Sequence, residues 1–258
     1  MISARPVAFI TGASSGIGEV FARKLAARGY DLVLLARRGD RLRALACSVP
    51  THAEVLIADL ASPDGVASAA RAIRECGQLE LLVNNAGFGT LGRFWESGLT
   101  DQARMHEVHI MATMRLTHAA LGQMVPRGRG AVINVSSVAA FGQSQGNVSY
   151  CATKAWINSF TEGLDMELRG LRSPVRVQAL CPGFTMTEFH DVLGIERRRI
   201  PNAFWMRAEV VVDASLEGLE RGRLIVIPGR KYKIGAALIK RLPRWLKRRL
   251  GHPGGNRV

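Results

Sequence analysis

Short apolar runs and longer stretches of helical spacing alternate along this chain. Val7-Ala8-Phe9-Ile10, Asp31–Leu35, Glu54–Ala58, Leu79–Val83, Ala131–Val135, Val175–Leu180 and Leu224–Ile227 read as seven strands. The second is apolar after its first residue, as expected of a strand covered on both faces. Helical spacing runs through Glu19–Arg28, residues 38–47, Ala67–Cys76, a long segment Asp101–Met124, and Tyr150 to about Leu168. This alternation predicts an α/β fold, a doubly wound parallel sheet flanked by helices and joined by right-handed crossovers. Ligands of such sheets bind outside the carboxyl ends of the strands.

Composition narrows the picture. A chain of 258 residues, 47% hydrophobic, can bury a large core as one domain. No apolar run approaches the roughly 18–20 residues of a membrane span. The first strand starts so early that no signal peptide is expected. Cys47, Cys76, Cys151 and Cys181 are scattered, which predicts small core residues in a reduced, cytoplasmic protein. The net charge of +14 is unevenly placed: ten basic residues and no acid follow Gly229. The expected division is a catalytic domain over 1–229 and a basic tail over 230–258.

The first strand runs into Thr11-Gly12-Ala13-Ser14-Ser15-Gly16-Ile17-Gly18, and helical spacing follows. Without Cβ atoms at Gly12, Gly16 and Gly18 the turn can be tight and a pyrophosphate can approach the backbone, facing free N–H groups of the new helix. Ser14, Ser15 and Ile17 share that turn. The second strand ends at Ala36-Arg37-Arg38, where a carboxylate holding a ribose 2′-OH would favour NAD. Ala36 cannot do this, whereas Arg37 or Arg38 could grip a 2′-phosphate, so NADP is favoured over NAD. The alternative is two solvated arginines starting a helix. The fourth strand ends in Asn84-Asn85-Ala86-Gly87, whose amides can tie strand ends together while Gly87 leaves space beside a cofactor. Tyr150 and Lys154, four apart at a helix start, share one face. A nearby ammonium favours phenolate and makes tyrosine a usable acid/base. Taken alone, the pair would be a core Tyr beside a surface Lys.

Together these motifs resemble the short-chain dehydrogenase/reductase family, in its compact branch with a Rossmann-type fold, over about residues 7–227. Several expectations rest on that resemblance. It implies hydride transfer between a nicotinamide and a carbonyl or alcohol carbon. Tyr150 would exchange the proton, and Lys154 would also hold the nicotinamide ribose. Ser137, thirteen residues before Tyr150, would position the substrate oxygen, with Ser136 the weaker alternative. Asp59, with Leu60, would close the adenine pocket, although Asp59 alone is equally a helix-start signal before Ser62-Pro63. Pro182-Gly183 would carry Thr185 and Thr187 to the carboxamide and pyrophosphate.

The chain departs from the family pattern at two places. Glu107-Val108-His109-Ile110-Met111 stands where the family has Val-Asn-Val, whose Asn holds a water leading from the active-site Lys to solvent. His109 could anchor the same water or merely pack. His106 and His109 have a metal-ligand spacing, but no third ligand is evident and no metal is expected. Many members end in a Gly-rich loop that helps form a tetramer. Here Ile234–Leu250 is a basic amphipathic segment, which Pro243 should kink or split. It suits either docking on protein or peripheral contact with an anionic membrane.

Phe88, Phe94 and Trp95, then Phe141, Phe184, Phe189, Phe204 and Trp205, fall in segments expected near the pocket, some of them as ordinary core. They favour a small apolar carbonyl or alcohol substrate, in an enzyme expected to be a homo-oligomer. The competing reading is a non-catalytic NAD(P) sensor or nucleic-acid binder using the tail. The tail has no base-reading motif, so nucleic acid is disfavoured.

Overall fold

A computed structural model of the chain describes residues 5–189, 193, 200–243 and 245–246. Strands β1 (Val7–Thr11), β2 (Asp31–Ala36), β3 (Ala53–Ile57), β4 (Leu79–Asn84), β5 (Ala131–Val135), β6 (Arg176–Leu180) and β7 (Ile225–Val226) fall within one residue of the expected bounds. All pair in parallel, in the order β3-β2-β1-β4-β5-β6-β7. The order reverses between β1 and β4, which opens a crevice at their carboxyl ends.

Alternate strand residues feed two cores, one on each face of the sheet. Ala8, Ile10, Leu32 and Leu34 meet Phe21 and Leu25 of α1 (Gly16–Ala27) and Leu42 of α2 (Gly39–Ser48). Phe9, Val33, Leu35 and Leu82 meet Val66 and Ile73 of α3 (Pro63–Glu75) and Leu116 of α5 (Thr113–Arg127). Helix α6 (Val148–Gly170) follows β5 and carries the Tyr-Lys pair.

Four features differ from the periodicity. Helix α3 starts at Pro63, four residues early, because Ser62 caps it by accepting from the Gly65 amide at 3.1 Å. The long helix is divided into α4 (Leu99–His106), a wider π turn (Glu107–Ala112) and α5. An unanticipated helix, α7 (Ala208–Glu220), buries Val211, Val212 and Leu216 on the first core. Of the four cysteines, all free, Cys151 and Cys181 are buried, but Cys47 is exposed rather than in the core.

Helix α8 (Arg230–Arg241) stops before Pro243. The rest of the basic segment, 244 and 247–258, lies outside the described residues. Among the described residues, no helix is long and apolar enough to cross a membrane.

Candidate active site

The turn between β1 and α1 is held open by backbone geometry. Gly12 and Gly16 take positive φ, 66° and 58°. A Cβ on Gly18 would strike the Gly12 carbonyl. Asn85 Nδ2 donates to the carbonyls of Thr11 (2.9 Å) and Gly12 (3.2 Å). Thr11 Oγ1 accepts from the amides of Asn85 (2.9 Å) and Ala86 (3.0 Å). The ends of β1 and β4 are thereby locked together. Buried Asn84 extends the network by donating to Asn134 Oδ1 at 2.9 Å, and Asn134 donates to Thr161 on α6 at 3.0 Å.

A cavity of about 670 Å³ runs along these strand ends. Gly12, Ser14, Ser15, Gly16 and Ile17 line it beside the turn, and Arg37, Arg38, Asp59 and Leu60 at the ends of β2 and β3. Asn85, Ala86 and Gly87 line its middle, and Ser137, Tyr150 and Lys154 face it from β5 and α6. Pro182, Gly183, Thr185 and Thr187 close it after β6. Two of the expected residues are set back from it: Gly18 sits behind Gly12, and His109 behind Gly87.

At the β2 end, all three nitrogens of the Arg38 guanidinium have partners. Nε donates to Ser14 Oγ at 3.2 Å, Nη2 to Ser15 Oγ at 2.7 Å, and Nη1 to Glu188 Oε2 at 2.8 Å. Asp59 accepts from the Ala61 amide at 3.0 Å and from Arg104 at 2.9 Å. Burial opposes its ionisation, but that amide and that guanidinium prevail and hold it below the usual carboxylate range.

Tyr150 sits in the first turn of α6 with Lys154 one turn on. Lys154 Nζ donates to the Val135 carbonyl at 2.9 Å and lies 5.7 Å from the Tyr150 ring centre. Burial lowers the Lys154 ammonium from 10.5 to about 7. Burial also pushes the Tyr150 phenol up to about 12, against a lowering hydrogen bond with Ser137. At neutral pH Tyr150 therefore holds its proton: burial prevails, and the lowering expected from the Lys154 ammonium is not seen. Ser136, the alternative to Ser137, is buried and donates to the Lys154 carbonyl at 2.9 Å.

His109, in the π turn, is 1% exposed. Its Nδ1 lies 2.9 Å from Thr153 Oγ1, and its buried Nε2 has no hydrogen-bond partner among the described residues. A Cβ on Gly87 would lie 2.6 Å from that Nε2 and 3.7 Å from Lys154 Nζ, so imidazole and ammonium flank the same glycine. Burial, reinforced by Lys154, keeps the imidazole neutral. His106 instead donates to the Gln102 carbonyl at 2.8 Å, so the two histidines do not converge.

The far end of the cavity is apolar, lined by Phe88, Leu91, Phe184, Phe189, Leu193 and Ile239. Only three of the eight expected aromatic residues are among them. Phe94 and Trp95 are exposed, Trp205 backs Phe184 at 5.5 Å, and Phe141 lies under Lys240. Helix α8 forms part of this wall, docking on the body through Tyr232 and Ile239. Tyr232 packs its ring on Gly183, accepts from the Phe184 amide at 2.9 Å and donates to the Phe204 carbonyl at 2.7 Å. Ile239 reaches the cavity, while Ile234, Leu238 and Trp245 are exposed.

A family model described as short chain dehydrogenase matches residues 6–197. A short-chain dehydrogenase from Sphingobium yanoikuyae, solved in complex with NADPH, is 35% identical with a TM-score of 0.82, over 93% of this chain and 97% of that one. A bulky-bulky ketone specific alcohol dehydrogenase from Comamonas testosteroni is 30% identical with a TM-score of 0.77, over 94% and 96%. A short chain dehydrogenase/reductase from Burkholderia phymatum, solved in complex with NAD, is 25% identical with a TM-score of 0.80, over 98% of each chain.

Proposed function

Because the chain belongs to the short-chain dehydrogenase/reductase family, as an NAD(P)-dependent dehydrogenase acting on CH–OH groups, we propose that it interconverts an apolar carbonyl compound and its alcohol using NADP(H). The observation that carries this reading is the convergence of Tyr150, Ser137 and Lys154 between a glycine-turn crevice and an apolar pocket. The crevice fits a dinucleotide: it has a Cβ-free turn at a helix N-terminus, two serine hydroxyls and two arginines, and no carboxylate at Ala36. Arg37 and Arg38 take the 2′-phosphate, and Asp59 with Leu60 bounds the adenine. Asn85, Ala86 and Gly87 bound the nicotinamide half, with Thr185 and Thr187 toward carboxamide and pyrophosphate.

When bound, the cofactor supplies or accepts the hydride. Tyr150 gives its phenolic proton to the carbonyl oxygen in reduction and recovers it in oxidation. Ser137 orients that oxygen. Lys154 lowers the cost of the phenolate and holds ribose hydroxyls. His109 acts as a positioning residue, its Nε2 lone pair anchoring a water beside Lys154.

Support for the apolar substrate comes from Phe88, Leu91, Phe184, Phe189, Leu193 and Ile239, and from the name of the Comamonas relative. The test is cofactor oxidation with a panel of bulky ketones and aldehydes. Turnover of none of them, or turnover insensitive to Tyr150→Phe, would remove the reading.

The proposal extends to the setting. The outward face of α8 carries Ile234 and Leu238, and Trp245 follows the helix; each is about 60% exposed, in a segment rich in Lys and Arg and free of acids. That combination suits peripheral contact of a cytoplasmic homo-oligomer with an anionic membrane. Light scattering tests the oligomer, and vesicle sedimentation the contact.

A further inference from the structure

Glu188 lies just past Thr187, in the segment that follows β6, yet its carboxylate reaches the residues that follow β2. One oxygen meets Arg38 Nη1 at 2.8 Å and the other meets Arg41 Nη1 at 2.6 Å. In the sheet, β1, β4 and β5 stand between β2 and β6. The bridge therefore spans the crevice above the glycine turn, where Thr187 also crosses: a Cβ on Gly16 would lie 3.0 Å from Thr187 Cγ2.

The arrangement has a chemical peculiarity. Arg38 is aimed by Ser14 and Ser15, which line the crevice with it, and its outward N–H meets an anion that belongs to the protein itself. Arg41 and Arg38 together neutralise that carboxylate, one arginine per oxygen, as two arginines hold a phosphate. An incoming 2′-phosphate requires the same guanidinium.

We propose that Glu188 is a built-in competitor of the cofactor's 2′-phosphate for Arg38, and thereby sets how strongly the enzyme prefers NADP(H) to NAD(H). The inference rests on the NADP reading above. A cofactor without that phosphate leaves the Glu188–Arg38 pair intact. One with it must first displace the carboxylate. Because both partners are nearly half exposed, the competition is modest.

Calorimetric titration of adenosine 2′,5′-bisphosphate and of 5′-AMP, with no turnover involved, tests this. Glu188→Gln should bind the bisphosphate about 3–5-fold tighter than wild type, the upper effect of freeing one exposed ion pair, with 5′-AMP unchanged within about twofold. In an Arg38→Ala background the gain should shrink to about twofold or less. Equal gains for both ligands, no gain, or a gain that survives in Arg38→Ala would overturn the proposal. Failure of the NADP reading looks different: wild type would not prefer the bisphosphate over 5′-AMP. The competitor role then stands only if Glu188→Gln uncovers the preference, and falls if it does not.

Discussion

Thr153 fixes which nitrogen of His109 carries the proton. Its hydroxyl has one hydrogen, donated to the Tyr150 carbonyl at 2.9 Å. Its 2.9 Å contact with His109 must then be Nδ1–H donating to Oγ1, which leaves Nε2 as a bare acceptor toward Gly87 and Lys154. His109→Asn should keep most activity, since an amide can also anchor a water. His109→Leu should lower kcat about tenfold with KM and far-ultraviolet dichroism unchanged. Thr153→Val, which releases the tautomer, should fall between them. If Leu is as active as His, the residue only packs.

Tyr150→Phe removes one oxygen from the cavity and leaves the crevice alone. Turnover should fall at least about 10³-fold, as loss of a general acid does, while cofactor affinity measured by fluorescence stays within about threefold. Retained turnover would take the proton away from Tyr150.

Arg38, with its two serine partners, is held more firmly than a solvated helix start would be. Arg38→Ala should raise the KM for NADPH about 10–100-fold more than that for NADH, the range of one or two charge-assisted hydrogen bonds. Arg37→Ala should act in the same direction. Equal effects on the two cofactors would make these arginines structural.

Lys154 gives a stability signature. Its native pKa of about 7 lies below the ordinary 10.5, so between those values the unfolded chain binds more protons than the native one. Stability therefore rises with pH through that window, and the cost of the buried ammonium is fully present below pH 7. Replacing Lys154 with Met should raise Tm, relative to wild type, by several degrees more at pH 6 than at pH 10.5. A pH-independent difference, measured by calorimetry, would show that burial does not govern this lysine.

The two faces of α8 separate its roles. Glutamates at Ile234 and Leu238, both outward, should abolish sedimentation with anionic vesicles while ketone reduction in solution continues unchanged. Tyr232→Ala should do the reverse, weakening kcat/KM for bulky substrates without affecting vesicle binding. Wild-type protein that ignores anionic vesicles at low salt would end the membrane proposal.

The strands were legible because both faces of the sheet are covered, so runs such as Leu32–Leu35 stand out without help from tertiary context. The motif residues were legible because each lies where a strand ends. The π turn was not: helical spacing continues through it, and the extra residue per turn shows only in backbone bonding. Helix α7 had a signal, Val211, Val212 and Leu216, but its polar Ser215 belongs to the buried stripe and pairs with Gln178 on β6. Glu188 and Tyr232 could not be read locally. Their partners are 150 and 48 residues away, and they meet only because the sheet brings successive loops to one edge.

The packing of Tyr232 on Gly183 also bears on the order in which the protein is made. Chains emerge from the ribosome amino end first. The glycine turn, the asparagine lock and the Ser-Tyr-Lys set are all synthesised by residue 154, but the residue that braces Phe184 and the one that closes the apolar end, Ile239, come only with α8. A nascent chain can thus form its dinucleotide crevice well before it has a finished substrate wall. In chain order the apolar wall is completed by α8, after the sheet and the crevice are in place.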